Sequence, residues 1–186
     1  MIRLFFAQYV KNIRTVGAIA PSSRFLARKM LRAVDFDRAK TIVEYGPGTG
    51  AFTAGLVAWI RPGTKLIVIE QNEAFYNTLR ERYGHLENVM LVHDSAAHVE
   101  TILAVYGIKE VDYIVSGLPF AALPTNVSDE ILKQTVRLIG IKGTFITFQY
   151  TLLKKNFMHG FFKHIVITKE YRNLPPAYVF TCTNKK

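Results

Sequence analysis

The chain has 186 residues, 49% of them hydrophobic and 20% charged, which is enough apolar material to bury a full core in a single domain spanning 1–186. No run approaches the roughly eighteen apolar residues of a membrane span, and the N-terminus lacks a signal-peptide pattern, so the expectation is a cytoplasmic protein rather than an integral or secreted one. The single Cys182 lies in the apolar strand pattern Val179-Phe180-Thr181-Cys182 and reads as a buried structural thiol.

The net charge of +10 is unevenly spread. Residues 1–40 carry nine Lys/Arg against two Asp/Glu, residues 142–186 carry eight against one, and the middle carries seven against eleven. Basic ends converging on one rim would attract a phosphate-bearing partner, either an anionic lipid surface or nucleic acid. The alternative is a charge excess that serves solubility alone.

Residues 1–15 read as a helix with Ile2, Phe5, Phe6, Tyr9, Val10 and Ile13 on one side and Arg3, Lys11 and Arg14 off it. Such a basic amphipathic helix fits a bilayer interface as well as it fits the protein's own core. Val16 to Pro21 breaks it, Ser22 or Ser23 caps a second helix from Arg24 to about Val34, and residues 1–35 together form a helical lid or membrane-contact segment.

Thr41-Ile42-Val43 is a β-branched run that turns through Glu44-Tyr45-Gly46-Pro47-Gly48-Thr49-Gly50 into a helix over residues 51–60. Alternate glycines leave the turn open to positive φ and to close approach by a ligand, with the free N–H groups of the helix behind it. The next strand, Lys65 to Ile69, ends in Glu70, twenty residues after Gly50, where a carboxylate can accept both hydroxyls of a ribose. An adenosine-containing ligand follows from that pair.

The Glu44-x-Gly46-x-Gly48-x-Gly50 pattern resembles that of the class I S-adenosylmethionine-dependent methyltransferases, and the resemblance runs over nearly the whole chain. It implies a Rossmann-like α/β fold with a seven-stranded, mostly parallel sheet and an antiparallel last strand, preceded by the N-terminal amphipathic helices. It also implies S-adenosylmethionine as cofactor, S-adenosylhomocysteine as product, and no metal. Glu44, Tyr45, Gly46, Gly48, Thr49, Gly50, Glu70 and Gln71 are the expected cofactor contacts in this first half.

A helix over residues 73–83 and a third strand over 88–93 lead to Asp94 and Ser95. By the same resemblance Asp94 accepts from the exocyclic amine of adenine, and a carboxylate acceptor suits that donor. His93 and His98 read as structural, because no Cys or carboxylate cluster around them has metal-ligand spacing. A helix over 96–106 and a strand over 111–116 then deliver Ser116, a further cofactor contact, to Gly117-Leu118-Pro119-Phe120.

In methyltransferases acting on base amines this position carries Asn or Asp, then Pro-Pro or Leu-Pro, then an aromatic residue. Here Gly117 replaces the amide while Leu118-Pro119-Phe120 is retained, so backbone carbonyls at Gly117 and Leu118 are left to orient a nitrogen. Val16-Gly-Ala-Ile-Ala-Pro-Ser-Ser-Arg-Phe-Leu-Ala and Ser116-Gly-Leu-Pro are similar to segments of bacterial phospholipid N-methyltransferases of the phosphatidylethanolamine type, and more distantly to ribosomal RNA adenine dimethyltransferases.

A helix over 128–139 precedes a fifth strand over 143–150, whose end brings Gln149 and Tyr150 to the ligand rim. Tyr150 and Lys154 have the spacing of a short-chain dehydrogenase pair, but that pair needs a helix and a different glycine pattern. Phe157, Met158, Phe161 and Phe162, behind Lys154 and Lys155, suit lipid if exposed and the core if buried. Closing strands at 163–168 and 177–182 flank Tyr171 to Pro176.

These readings converge on an N-methyltransferase acting on the amine of a phosphatidylethanolamine-type headgroup, peripherally associated with the inner face of the membrane. Tyr150 orients or accepts, and Ser22, Ser23, Arg172 and Tyr178 contact the lipid. An RNA adenine N6-methyltransferase and a non-catalytic membrane- or nucleic-acid-binding module on the same fold are the alternatives. No protein partner is implied.

Overall fold

The computed structural model describes residues 23–185. The N-terminal helix expected over residues 1–15, and Ser22, lie outside them. Helix α1 (Arg24–Leu31) starts where Ser23 Oγ accepts from Leu26 N, and it buries Leu26, Ala27, Met30 and Leu31 while Arg28 and Lys29 occupy its last turn. It is shorter than the apolar line to Val34 predicts, because the chain after Arg32 closes two tight turns onto Met30 and Leu31 carbonyls.

Strands β1 (Thr41–Tyr45), β2 (Lys65–Ile69), β3 (Val89–Val92), β4 (Tyr113–Ser116) and β5 (Thr144–Gln149) alternate with helices α2 (Ala51–Trp59), α3 (Glu73–Tyr83), α4 (Val99–Val105) and α5 (Thr125–Ile139). The chain then forms a short α6 (Lys155–His159) and two strands, β6 (His164–Glu170) and β7 (Ala177–Thr183). The order across the sheet is β3-β2-β1-β4-β5-β7-β6, parallel except where β7 pairs antiparallel with both β5 and β6. The expected seven strands and antiparallel last strand are thus present.

Alternate residues of each central strand feed opposite cores, as a pleat with period two requires. Ile42, Leu66, Val68, Val115 and Ile146 pack under α1, α2 and α3. Val43, Ile67, Ile69, Ile114 and Phe145 pack under α4 and α5. Every central strand is therefore an apolar run, the mark of a sheet covered on both faces.

Boundaries also differ from expectation at two later helices. The helix expected over 96–106 is a 3₁₀ turn (Ala96–His98), capped by Ser95 Oγ on Ala97 N, followed by α4. Helix α5 begins at Thr125, one turn earlier than expected, directly after Pro124. Met158 and Phe162 are buried and Phe162 stacks on Phe145 at 5.4 Å, so that aromatic cluster belongs to the core and not to a lipid face.

Candidate functional site

Strand order reverses between β1 and its neighbours: β2 and β3 lie to one side, β4 and β5 to the other. A crevice at the carboxyl ends of such strands is where open α/β sheets hold ligands. The turn after β1 opens into it with Gly46, Gly48 and Gly50 at φ +57°, +57° and +84°, a region that costs an L side chain about 1–2 kcal/mol. A Cβ on Gly46 would stand 2.6 Å from Leu118 Cδ2, whereas one on Gly48 would meet nothing within 4 Å. Gly46 is closed off by the turn after β4, and Gly48 faces open space.

Glu70 anchors this turn. Its Oε2 accepts from Gly48 N at 2.9 Å and its Oε1 from Asn72 N at 2.7 Å, with the side chain buried. Burial pushes this carboxyl up, while the N–H groups of Asn72, Gly48 and Gln71 pull it back. Gln71 presents its carbonyl to His93 Nε2 at 3.2 Å, and the His93 ring stacks on Tyr76 at 5.0 Å, so His93 braces the β2 and β3 ends.

Asp94 follows β3 on the same wall. Burial pushes it up, but hydrogen bonds from His98 Nδ1 at 2.8 Å and Ser95 N at 2.6 Å, with both imidazoles nearby, hold it below the ordinary carboxylate range. Glu70, Gln71, Asp94 and Ser95 line one pocket with Gly46 and Leu118. Leu123, Val127 and Ile131 supply its apolar side, and sequence reasoning assigned those three no role beyond a helix and the loop before it. Two carboxylates on one wall facing aliphatic side chains form a slot for a flat ring with hydroxyl and amine donors at its edges.

Several expected contacts sit elsewhere. Tyr45 is fully buried, its hydroxyl 3.3 Å from Thr135 Oγ1 on α5, because it shares the strand face of Val43 and points into the core. Ser116 is likewise buried, with its Oγ accepting from Leu118 N at 3.2 Å, so it shapes the turn. Thr49 is exposed beside the glycines.

Gly117 sits against the glycine turn. A Cβ there would lie 2.5 Å from the Gly46 carbonyl oxygen and 3.6 Å from that of Tyr45, so the backbone leaves no room for an amide side chain. The Leu118 carbonyl accepts from Phe120 N at 3.1 Å and Gln149 Nε2 at 3.3 Å, and Gln149 Oε1 accepts from Ala121 N at 3.2 Å. Buried Gln149 therefore fixes the turn after β4 with both ends of its amide, and no hydrogen bond from a described residue reaches the Gly117 carbonyl.

Tyr150 follows the opposite parity to Gln149. Its ring packs edge-on against Phe148 at 5.5 Å, on the α1–α2 side, away from the pocket lined by Glu70 and Asp94. Burial raises its phenol, with Asn173 nearby opposing the shift, so the hydroxyl stays protonated at neutral pH.

Ser23, Arg172 and Tyr178 gather at the same end of the sheet. Asn173 Oδ1 accepts from Ser23 N at 3.0 Å, and its Nδ2 donates to the Pro175 carbonyl at 2.7 Å. Arg172 pairs with Glu170 at 3.0 Å and lies over the Phe25 ring at 4.4 Å. Tyr178 carries the Lys169 ammonium at 5.1 Å. Cys182 is buried and its thiol pushed up by burial, which leaves it no nucleophilic part.

Glu44 lies beneath the glycine turn, fully buried, with neither carboxyl oxygen hydrogen-bonded to a described residue. Burial, eased by Thr53 and reinforced by Glu70, pushes it up to about 8. The folded protein therefore keeps a proton that the unfolded chain releases near 4.5, and this contribution to stability is lost as pH rises from about 4.5 to about 8. Glu44→Gln is expected to flatten that part of the profile by an amount on the order of a few kcal/mol, read from urea midpoints at the two ends of the window. Parallel wild-type and variant profiles would mean that Glu44 is charged in the folded protein.

Comparison with known proteins bears on this geometry. Residues 22–164 match the family model described as ribosomal RNA adenine dimethylase. An ornithine lipid N-methyltransferase of Singulisphaera acidiphila is 31% identical over 98% of this chain and 96% of its own. A ribosomal RNA small subunit methyltransferase A of Acidobacterium capsulatum is 32% identical over 62% of this chain but only 38% of its own length. Among solved structures, the N-methyltransferase NodS of Bradyrhizobium japonicum, in complex with S-adenosylhomocysteine, superposes with a TM-score of 0.69 at 13% identity, over 87% of this chain and 88% of that one.

The glycine turn, the carboxylate-lined slot, the sheet order and the family match agree. The chain belongs to the ribosomal RNA adenine dimethylase family of class I S-adenosylmethionine-dependent methyltransferases.

Proposed function

We propose that this methyltransferase acts on the aliphatic amine of a membrane-lipid headgroup, of the phosphatidylethanolamine or ornithine-lipid kind. The observation that carries the reading is Gly117. A planar base amine is oriented by a side-chain amide at this position, and here the Gly46 carbonyl occupies the space such a side chain needs, 2.5 Å from any Cβ. The ornithine lipid N-methyltransferase, alike over nearly its full length, supports the same substrate class.

The residues present fit the cofactor. The open face of Gly48 admits close approach, Glu70 offers a buried acceptor for ribose hydroxyls, and Asp94 keeps an ionised acceptor for the adenine amine. S-adenosylmethionine supplies a methyl on an already activated sulfonium. What remains for the chain is to hold the nitrogen in line with that methyl, and such positioning is where most of the rate comes from.

The Gly117 carbonyl is the acceptor left for an amine N–H, since the Leu118 carbonyl is taken by Phe120 and Gln149. Gln149 thereby acts as a positioning residue, fixing the plane of the turn that carries Gly117. An alkylammonium titrates near 10, by analogy with Lys, and must be neutral to attack. Tyr150, whose phenol burial raises, does not take that proton.

Mass analysis of phosphatidylethanolamine and of an ornithine lipid, each incubated in mixed micelles with the protein and S-adenosylmethionine, tests the reading. Headgroups gaining one or more methyls are expected. Both lipids returning unmodified, while the protein binds S-adenosylmethionine, would remove it.

A further inference from the structure

The carboxyl-end rim has a second feature besides the pocket mouth. Leu152, Leu153, Tyr171 and Leu174 stand exposed there, Leu153 at 86% and Leu174 at 79%. The loops that carry them are brought together by the sheet: β5 ends at Gln149 opposite Tyr178, and β6 ends at Glu170 opposite Ala177. Asn173 holds the second loop to the start of α1 through Ser23 N.

Basic groups surround these tips. Lys154 and Lys155 follow Leu153 directly, and the Lys169 ammonium lies 4.9 Å from the Tyr171 ring centroid. The guanidinium groups of Arg24 and Arg172 lie over the Phe25 ring at 5.0 Å and 4.4 Å. Glu170, at the end of β6, is buried, bonded to Arg172 and 3.8 Å from Lys29, with its carboxyl held at about 2. It is internally neutralised and leaves these loops positive.

The opposite end of the sheet shows that apolar exposure alone does not distinguish this rim. Val105 and Ile141 are exposed there at 80% and 58%, and that end carries charges of both signs: Asp37 pairs with Arg61, and Asp112 accepts from the N–H groups of Lys40 and Thr41. Among the described residues, these loops of the carboxyl-end rim join aliphatic tips and Tyr171 to Lys154, Lys155, Lys169 and Arg172. That combination matches an anionic bilayer, where the tips enter the headgroup boundary and the cations meet lipid phosphates.

We infer that the loops over residues 150–155 and 171–176, with the first turn of α1, form a docking face that seats the pocket mouth on an anionic membrane. The inference rests on the lipid-amine reading for its purpose but not for its test. Docked this way, the headgroup layer meets the Gly117 turn without a lipid leaving the bilayer.

The test is flotation of the full chain with phosphatidylcholine vesicles, with and without phosphatidylglycerol, neither carrying a methylatable amine. Wild type is expected to float only with the anionic vesicles and to be released by salt. Leu153→Ser with Leu174→Ser, and separately Lys154→Glu with Lys155→Glu, are expected to lower partition about 10-fold or more. Val105→Ser with Ile141→Ser, at the opposite end, is expected to leave it unchanged, with thermal melts confirming that each variant folds.

Rim variants that float like wild type, or an equal loss in the opposite-end control, would overturn the inference. Its failure is distinguishable from failure of the lipid-amine reading. Methylation of detergent-dispersed lipid by rim variants that still float sinks the docking face alone, whereas rim-dependent flotation with no lipid ever methylated sinks the substrate alone.

Discussion

Replacing Glu70 with alanine is expected to weaken S-adenosylmethionine binding about 100-fold in a calorimetric titration, with the fold retained. The carboxylate is buried and accepts from Gly48 N and Asn72 N, so it both fixes the glycine turn and offers its oxygens to the pocket. Hydrogen bonds to a charged group are worth roughly 1.5–3 kcal/mol each, and losing two toward a ribose gives about 3 kcal/mol or more, hence the factor of about 100. Glu70→Gln keeps the acceptor oxygen but not the charge and should fall between the two. Near-wild-type affinity in Glu70→Ala would move the ribose away from β2.

Gly117→Asn is expected to do harm and to create no activity on RNA. Its Cβ would meet the Gly46 carbonyl oxygen at 2.5 Å and the Gly46 carbonyl carbon at 3.5 Å, both backbone atoms, so the turn after β1 must move. Overpacking of this kind costs about 1–3 kcal/mol, a fall in Tm of roughly 2–10 °C for a chain of this size. Cofactor affinity should fall with it, because the displaced atoms belong to the turn that cradles the ligand. Gly117→Ala already carries the offending Cβ and should show most of the effect. A variant that melts like wild type and methylates adenine would contradict the account of this position.

The glycine turn, Glu70 and Asp94 were legible in the sequence because each follows a β-branched or aliphatic run, and residues at strand ends of a parallel sheet share one edge whatever the details of packing. The seven strands and the antiparallel last strand followed from the resemblance and from alternating elements. The direction in which Tyr150 points was not legible, for a physical reason. The expected fifth strand ran one residue beyond Gln149, where β5 ends, and in a strand neighbouring side chains point to opposite faces. Gln149 faces the Leu118 turn and Tyr150 faces Phe148.

Tyr45 illustrates the same limit, since membership in a glycine motif does not reveal that its side chain follows Val43 into the core against Thr135. Val127 and Ile131 look in sequence like any buried helix stripe, and they do belong to the core, but the same stripe also walls the pocket. Asn173 had no local signal, because its partner Ser23 lies 150 residues away in the chain. The steric role of Gly117 was invisible too. The sequence showed an absent amide, and only the approach of the Gly46 carbonyl explains why no side chain fits.

The proposed destination of the methyl groups is a lipid amine and not RNA. The direct measurement offers radiolabelled S-adenosylmethionine to the protein with phosphatidylethanolamine/phosphatidylglycerol vesicles and ribosomal RNA together, then separates the organic and aqueous phases. Label in the extracted lipid, with RNA at background, is the predicted result. Label in RNA, with lipid at background, would contradict it.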